Sequence, residues 1–125
     1  MTDLRAWVVD DSQAMRRSLL FALQRITGLQ CEEAADGAEG LKKLAHERFD
    51  LVLTDINMPL MDGLKLIHHI RQSPQHRGEP VVVITPEAAA EDRSRAMALG
   101  ASAYLVKPAQ APAVLETEKS LLKLP

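Results

Sequence analysis

The sequence has few of the features that mark secreted, membrane or nucleic-acid-binding proteins. It contains one cysteine, Cys31, which has no partner for an internal disulfide and lies in an apolar stretch, so a reduced, buried thiol is predicted. No apolar run approaches the ~18 residues that a membrane helix requires. The first ten residues lack the charged and apolar regions of a signal peptide. These absences predict a cytoplasmic protein.

The charges are nearly balanced, since 15 basic and 17 acidic residues give a net charge of 15 − 17 = −2. That balance lacks the excess of positive charge that nucleic-acid binding requires. No glycine-rich phosphate cradle is present, so nucleotide binding is not expected. The 125 residues are 46% hydrophobic and 26% charged, values typical of a globular protein. The chain is therefore predicted to be a single domain, residues 1–125, with its own core.

Five short apolar segments alternate with segments of helical spacing. Strands are predicted at residues 6–9, 29–35, 51–54, 80–84 and 103–106. Helices are predicted at residues 12–26, 36–45, 63–71 and 87–99, with a last helix beginning near Pro112. Counting about 100° per residue from Leu19 places Phe21 on the solvent side of the first helix. The alternation predicts an α/β fold with an open, doubly wound parallel sheet of five strands and helices on both faces, and right-handed crossovers leave few topologies. The flavodoxin-like order 2-1-3-4-5 is the one expected among them.

Polar residues follow four of these strands. Asp10 and Asp11 follow the first strand, Asp55 the third, Thr85 the fourth and Lys107 the fifth. Ligands of such sheets bind at the carboxyl edge, where this strand order brings the ends of the first and third strands together. Three neighbouring carboxylates repel one another and favour a cation, and hard oxygen ligands suit Mg²⁺. An aspartate can also accept a phosphoryl group, whose charge a hydroxyl and an ammonium group would neutralise.

Two other interpretations of Asp55 are open from the residues alone. Asp55 could cap the next helix, although Pro59 and Gly63 delay that helix and Asp62 is better placed to cap it. Haloacid-dehalogenase-like phosphatases also use an aspartate at a strand end, with a second aspartate two residues on as general acid. Asn57 occupies that position here, so turnover of a phosphate ester would be needed to support this enzyme class.

The sequence resembles the receiver domains of two-component response regulators, including the single-domain chemotaxis type. The resemblance covers nearly the whole chain and is carried by four motifs in order: Val8–Ser12, Thr54–Gly63, Ile84–Thr85 and Gly100–Pro108.

The resemblance implies a phosphoacceptor signalling domain that catalyses only its own phosphorylation and dephosphorylation. Asp55 would accept a phosphoryl group from a phosphohistidine of a sensor histidine kinase or phosphotransfer protein. Asp10, Asp11, Asp55 and the main-chain carbonyl of Asn57 would hold Mg²⁺.

The resemblance also implies a switch. Thr85 and Lys107 would contact the phosphoryl oxygens, and Tyr104 would turn inward as Thr85 moves. The altered surface would then bind a downstream protein, with neither nucleic acid nor a membrane as partner.

Three residues depart from the family pattern, among them Ala109, which stands where a bulky apolar residue often follows the Lys-Pro pair. Pro86 lacks the N–H with which the family's small residue after the threonine binds a phosphoryl oxygen. Glu118 falls on the apolar face of the last helix. An alternative is therefore a pseudo-receiver that binds partners independently of phosphorylation, with switching impaired by Pro86. Labelling by a phosphodonor separates the two possibilities.

Overall fold

The computed structural model describes residues 4–26, 28–44, 49–56, 62–74, 78–86, 89–106, 116–117 and 120–122. The strands are β1 Leu4–Val9, β2 Leu29–Ala34, β3 Leu51–Thr54, β4 Val81–Thr85 and β5 Ala103–Val106. The helices are α1 Gln13–Leu23, α2 Gly37–Leu44, α3 Gly63–Gln72 and α4 Ala90–Leu99. Residues 116–117 and 120–121 are also helical. Strands and helices therefore alternate as predicted.

The five strands form one parallel sheet in the order β2-β1-β3-β4-β5, which confirms the predicted topology. β1 pairs with β2 on one side and with β3 on the other, with Val9 opposite both Ala34 and Thr54. The connections that leave β1 and β3 run to opposite sides of the sheet. The carboxyl ends of these two strands therefore flank the point at which such sheets bind ligands.

Two apolar clusters cover the two faces of the sheet, as predicted. One contains Trp7 and Val52 and packs against α2, α3 and α4. The other contains Val8 and Leu53 and packs against α1 and the half-buried Leu121 and Leu122. Adjacent strand residues alternate between the clusters because successive side chains point to opposite faces. Every residue of β3 and β4 is buried, which explains their uninterrupted apolar runs.

Helix α1 is shorter than predicted. It begins after Ser12, whose Oγ accepts the Met15 N–H at 3.2 Å, and ends at Leu23 instead of Ile26. Ile26 lies in a turn that follows the helix, where its N–H donates to the Leu23 carbonyl, and its side chain is buried in the core. It therefore fits the apolar spacing of the helix although it is not helical. Phe21 is 68% exposed and Leu19 is 5% exposed, as the helical count predicts.

Helix α4 is capped at its carboxyl end by Gly100, whose φ of 112° lies in the left-handed region that glycine adopts without strain. Residues 87–88 and the predicted start of the last helix at Pro112, together with Glu118, lie outside the described residues. None of the helices in the described ranges has the length and apolar character needed to cross a membrane.

Cys31 is a half-buried free thiol, and burial raises its pKa to about 11, so it is protonated at neutral pH.

Candidate functional site

Three aspartates meet at the carboxyl edge of the sheet. Asp10 and Asp11 follow β1 and Asp55 follows β3, and one carboxylate oxygen from each lies within 4.8 Å of the others. Asp10 is 1% exposed and Asp55 is 5% exposed, whereas Asp11 is open to solvent. The structure therefore brings together the three acids that the strand-end pattern singled out.

The main chain of the two buried acids continues the hydrogen bonding of the sheet. The Asp10 N–H donates to the Ala34 carbonyl at 3.1 Å, and the Asp55 N–H donates to the Val9 carbonyl at 3.1 Å. Each aspartate therefore stands one residue past its strand on a backbone that neighbouring strands hold in place. Their carboxylates are fixed further, because the Ser12 N–H donates to Asp10 Oδ1 at 2.9 Å and the Ile56 N–H donates to Asp55 Oδ1 at 2.6 Å.

The start of α3 packs directly on the main chain of Asp55. A Cβ atom at Gly63 would lie 2.0 Å from the Asp55 carbonyl oxygen, so this close approach requires glycine. The Gly63 N–H donates to the Ile56 carbonyl at 2.8 Å, and the Thr54 hydroxyl donates to the Asp55 carbonyl at 2.9 Å. The helix cap is Asp62, whose Oδ1 accepts the Lys65 N–H at 2.9 Å. The capping interpretation of Asp55 is therefore wrong.

The acidic cluster favours the binding of a cation. Two unit charges 4.8 Å apart repel by about 1 kcal/mol in water and by about 3.5 kcal/mol at an effective dielectric of about 20. Carboxylate oxygens are the ligands that Mg²⁺ prefers, and a carboxylate that accepts one N–H bond retains further lone pairs. The donor set and its spacing therefore fit a divalent cation such as Mg²⁺.

An arginine that the sequence did not single out lies beside this cluster. Arg16 Nη1 donates to the Asp10 main-chain carbonyl at 2.6 Å, and Arg16 Nε donates to Glu33 Oε1 at 3.1 Å. The Arg16 side chain is 14% exposed. The sequence does place Arg16 in the first turn of the predicted helix. Because helical side chains lean toward the helix N-terminus, a long side chain there can reach back to the end of the preceding strand.

The two residues predicted to form a switch share one face of the sheet. Thr85 ends β4 and is completely buried, and Tyr104 lies in β5 opposite Val83 with 7% of its surface exposed. Tyr104 and Val83 belong to the same apolar cluster. Because side chains alternate along a strand, Thr85 points to the same face as Val83 and is a diagonal neighbour of Tyr104.

The other predicted site residues are described only in part. Lys107 and Asn57 lie outside the described residues. Pro86 follows Thr85 directly and is exposed.

The sequence matches the family of the response regulator receiver domain over residues 6–118. It is 39% identical over 104 residues to a gliding motility regulatory protein of Myxococcus xanthus, covering 83% of this chain and 13% of that protein. It is 39% identical over 115 residues to the sensor histidine kinase RcsC of Salmonella typhi, covering 92% of this chain and 12% of that protein. The chain therefore spans only a small part of these relatives.

Solved structures share the fold over nearly the full chain. The chemotaxis response regulator CheY4 of Vibrio cholerae superposes with a TM-score of 0.88 at 34% sequence identity. The similarity covers 96% of this chain and 99% of that one.

Proposed function

The chain belongs to the response regulator receiver domain family, and we propose that Asp55 is its phosphoryl acceptor. The domain acts in two-component phosphorelay signalling, as the family match and the relatives show. The phosphorylation-independent alternative is not favoured by these relatives. The observation that supports Asp55 is its place in the cluster of three carboxylates, where it is buried and held between β1 and the start of α3.

The proposed reaction moves a phosphoryl group from a phosphohistidine to the Asp55 carboxylate. A P–O bond to a carboxylate oxygen forms while the P–N bond breaks, and its electron pair stays on the imidazole nitrogen. The Asp55 N–H bond to the Val9 carbonyl and the Ile56 N–H bond to Asp55 Oδ1 hold the acceptor in one position, which lowers the entropic cost of reaching the reactive geometry.

Receiver domains generally bind Mg²⁺ at an acidic pocket, and the acids of this chain fit that ion. We assign Asp10, Asp11, Asp55 and the main-chain carbonyl of Asn57 as its ligands. When bound, Mg²⁺ neutralises charge on the carboxylates and the phosphoryl oxygens. Asp10 and Asp11 contribute by presenting oxygens from the rigid end of β1.

The remaining roles concern the phosphorylated state. The Thr85 hydroxyl and the Lys107 ammonium group would donate to phosphoryl oxygens. Movement of Thr85 would be transmitted to Tyr104, its neighbour on the same face of the sheet. Autophosphorylation and autodephosphorylation would be the only reactions that the domain catalyses.

The relatives indicate histidine-kinase partners for this domain. We propose a sensor kinase or phosphotransfer protein as donor and a protein as downstream partner, with no nucleic acid or membrane bound. The cytoplasmic location and the single domain of residues 1–125 stay predictions.

Mass spectrometry after incubation with acetyl phosphate and Mg²⁺ tests the acceptor. One base-labile phosphoryl group is expected on the wild type and none on Asp55→Ala. Asp50→Ala is the matched control, because Asp50 lies at the opposite end of β3, where its Oδ2 accepts the Arg5 N–H. Full labelling of Asp55→Ala would overturn the assignment.

A further inference from the structure

We propose that Arg16 is a positioning residue for the metal-binding acids Asp10 and Asp11. The inference rests on the Mg²⁺ site of the proposed function. Arg16 reaches back from the first turn of α1 and donates from Nη1 to the main-chain carbonyl of Asp10 at 2.6 Å. Its side chain is 14% exposed, so the contact is largely shielded from water.

The carbonyl that Arg16 holds controls the direction of the next residue. The Asp10 carbonyl belongs to the rigid peptide plane that ends at the Cα atom of Asp11. Rotation of that plane would move Asp11, whose side chain is exposed to solvent. A fixed Asp10 carbonyl therefore keeps the Asp11 carboxylate within reach of Asp10 and Asp55.

A second contact ties the same guanidinium to the sheet. Arg16 Nε donates to Glu33 Oε1 at 3.1 Å, and Glu33 precedes Ala34, the residue whose carbonyl accepts the Asp10 N–H. The Glu33 carbonyl in turn accepts the Lys43 ammonium group at 2.8 Å. Both polar main-chain groups of Asp10 are thus held relative to the end of β2. The N–H bonds directly to the Ala34 carbonyl, and the carbonyl is connected to Glu33 through Arg16.

Positioning and simple charge predict opposite effects on Mg²⁺ affinity. If Arg16 acted only as a nearby positive charge, its removal would make the electrostatic potential at the acids more negative and would tighten cation binding. If it positions the acids, its removal weakens binding because the ligand oxygens no longer converge. Arg17, the next residue of α1, is exposed and carries the same charge, so it provides the matched control.

The test is a titration of the protein with Mg²⁺ in which binding is monitored by calorimetry and by the amide chemical shifts of Asp10 and Asp11. Arg16→Ala is expected to weaken Mg²⁺ affinity about tenfold. Arg16→Lys keeps the charge but cannot make both contacts, so affinity is expected to fall by a smaller factor. Arg17→Ala is expected to leave affinity unchanged or slightly higher. Melting temperatures are measured alongside, and all titrations are made well below them.

Equal or tighter binding by folded Arg16→Ala would overturn the inference while leaving the Mg²⁺ site intact. If Arg16→Ala does not fold, Arg16→Lys and Glu33→Ala decide, and wild-type affinity in both would overturn the inference. Absence of Mg²⁺ binding by the wild type would overturn the metal site itself, and the positioning role with it.

Discussion

The two ends of the parallel sheet both bury carboxylates but surround them differently. At the amino end, Glu79 is 7% exposed, and its Oε1 accepts the Phe49 N–H at 3.3 Å. Arg71 lies beside it and donates to the Glu79 carbonyl at 2.7 Å and to the Gly100 carbonyl at 3.0 and 2.6 Å. Burial lowers the pKa of Arg71, and the charge of Glu79 opposes that change. At this end, the positive charge of Arg71 therefore lies beside the buried acid, Glu79.

At the carboxyl end, Asp10 and Asp55 are as deeply buried as Glu79, and Arg16 likewise donates to the Asp10 main-chain carbonyl, but here three carboxylates share one cluster. A bound cation relieves the repulsion among them. The comparison indicates that a buried acid paired within the fold serves stability, whereas buried acids gathered together serve ligand binding. Substitutions at the amino end should then change stability equally with and without Mg²⁺. The effect on stability of substitutions among the three acids should depend on whether Mg²⁺ is present.

Gly63→Ala should have the largest effect, because it forces two pieces of backbone apart at the carboxyl end. The new Cβ would lie 2.0 Å from the Asp55 carbonyl oxygen, which has no freedom to move aside. We expect the free energy of unfolding to fall by about 3 kcal/mol or more, with loss of labelling by acetyl phosphate. Urea denaturation and mass spectrometry measure the two effects.

Gly78→Ala is the matched control for that substitution, since a Cβ there meets nothing within 4 Å. Its free energy of unfolding should change by about 0.5 kcal/mol at most. Similar stabilities of the two variants would show that the backbone around Asp55 yields easily, and that the carboxyl end is less rigid than its hydrogen bonds indicate.

Arg71→Ala should produce the next largest effect, at the amino end. It removes the donors to the Gly100 and Glu79 carbonyls and the positive charge beside the buried Glu79 carboxylate. We expect a loss of about 2–3 kcal/mol of stability, the same with and without Mg²⁺. Labelling of the folded variant should be unchanged.

Arg93→Ala, on the exposed surface of α4, controls for the loss of an arginine and should change stability by about 0.5 kcal/mol at most. A loss of labelling in folded Arg71→Ala would show that the two ends of the sheet are coupled, contrary to the comparison.

Asp11→Asn should have a smaller effect, whose sign depends on Mg²⁺. Without the ion, removal of one like charge should stabilise the fold by about 1 kcal/mol. With excess Mg²⁺, the wild type should gain more stability than the variant, because binding to the native state adds free energy according to its affinity. Thermal melts with and without Mg²⁺ measure both effects.

Glu91→Gln, in the first turn of α4, removes an exposed negative charge away from the acids and should show no such reversal. A less stable Asp11→Asn that still labels fully would contradict the metal role.

The sequence predicted the meeting of the three aspartates because parallel strands end at the same edge and the 2-1-3-4-5 order sets the first and third strands side by side. The order itself was expected from right-handed crossovers and from the resemblance to receiver domains. The sequence did not predict where α1 ends, since Ile26 is buried from a turn and spacing alone does not distinguish a turn from a helix. The Arg16 contact was also missed. It depends on the direction of a side chain over a turn, which becomes definite only when β2 supplies Glu33.

Pro86→Ala should have the smallest effect on stability and tests the carboxyl end in its switched state. Pro86 is exposed, so replacement should cost about 0.4–1 kcal/mol, chiefly by freeing the unfolded chain. It also restores an N–H after Thr85, which the likeness to other receivers implies would bind a phosphoryl oxygen. A hydrogen bond to a charged group is worth roughly 1.5–3 kcal/mol, so the switched state should gain about tenfold to a hundredfold in population.

The measurement is the chemical-shift change of Thr85 and Tyr104 on adding beryllofluoride and Mg²⁺, which should be larger in Pro86→Ala than in the wild type. Pro74→Ala makes the same substitution at an exposed position after α3, at the amino end, and should leave that response unchanged. Pro86 also biases Thr85 away from helical backbone angles, so both the missing donor and the stiffer chain oppose switching. If the wild type already shifts completely and Pro86→Ala adds nothing, another donor must serve that oxygen, and the carboxyl end switches without help from residue 86.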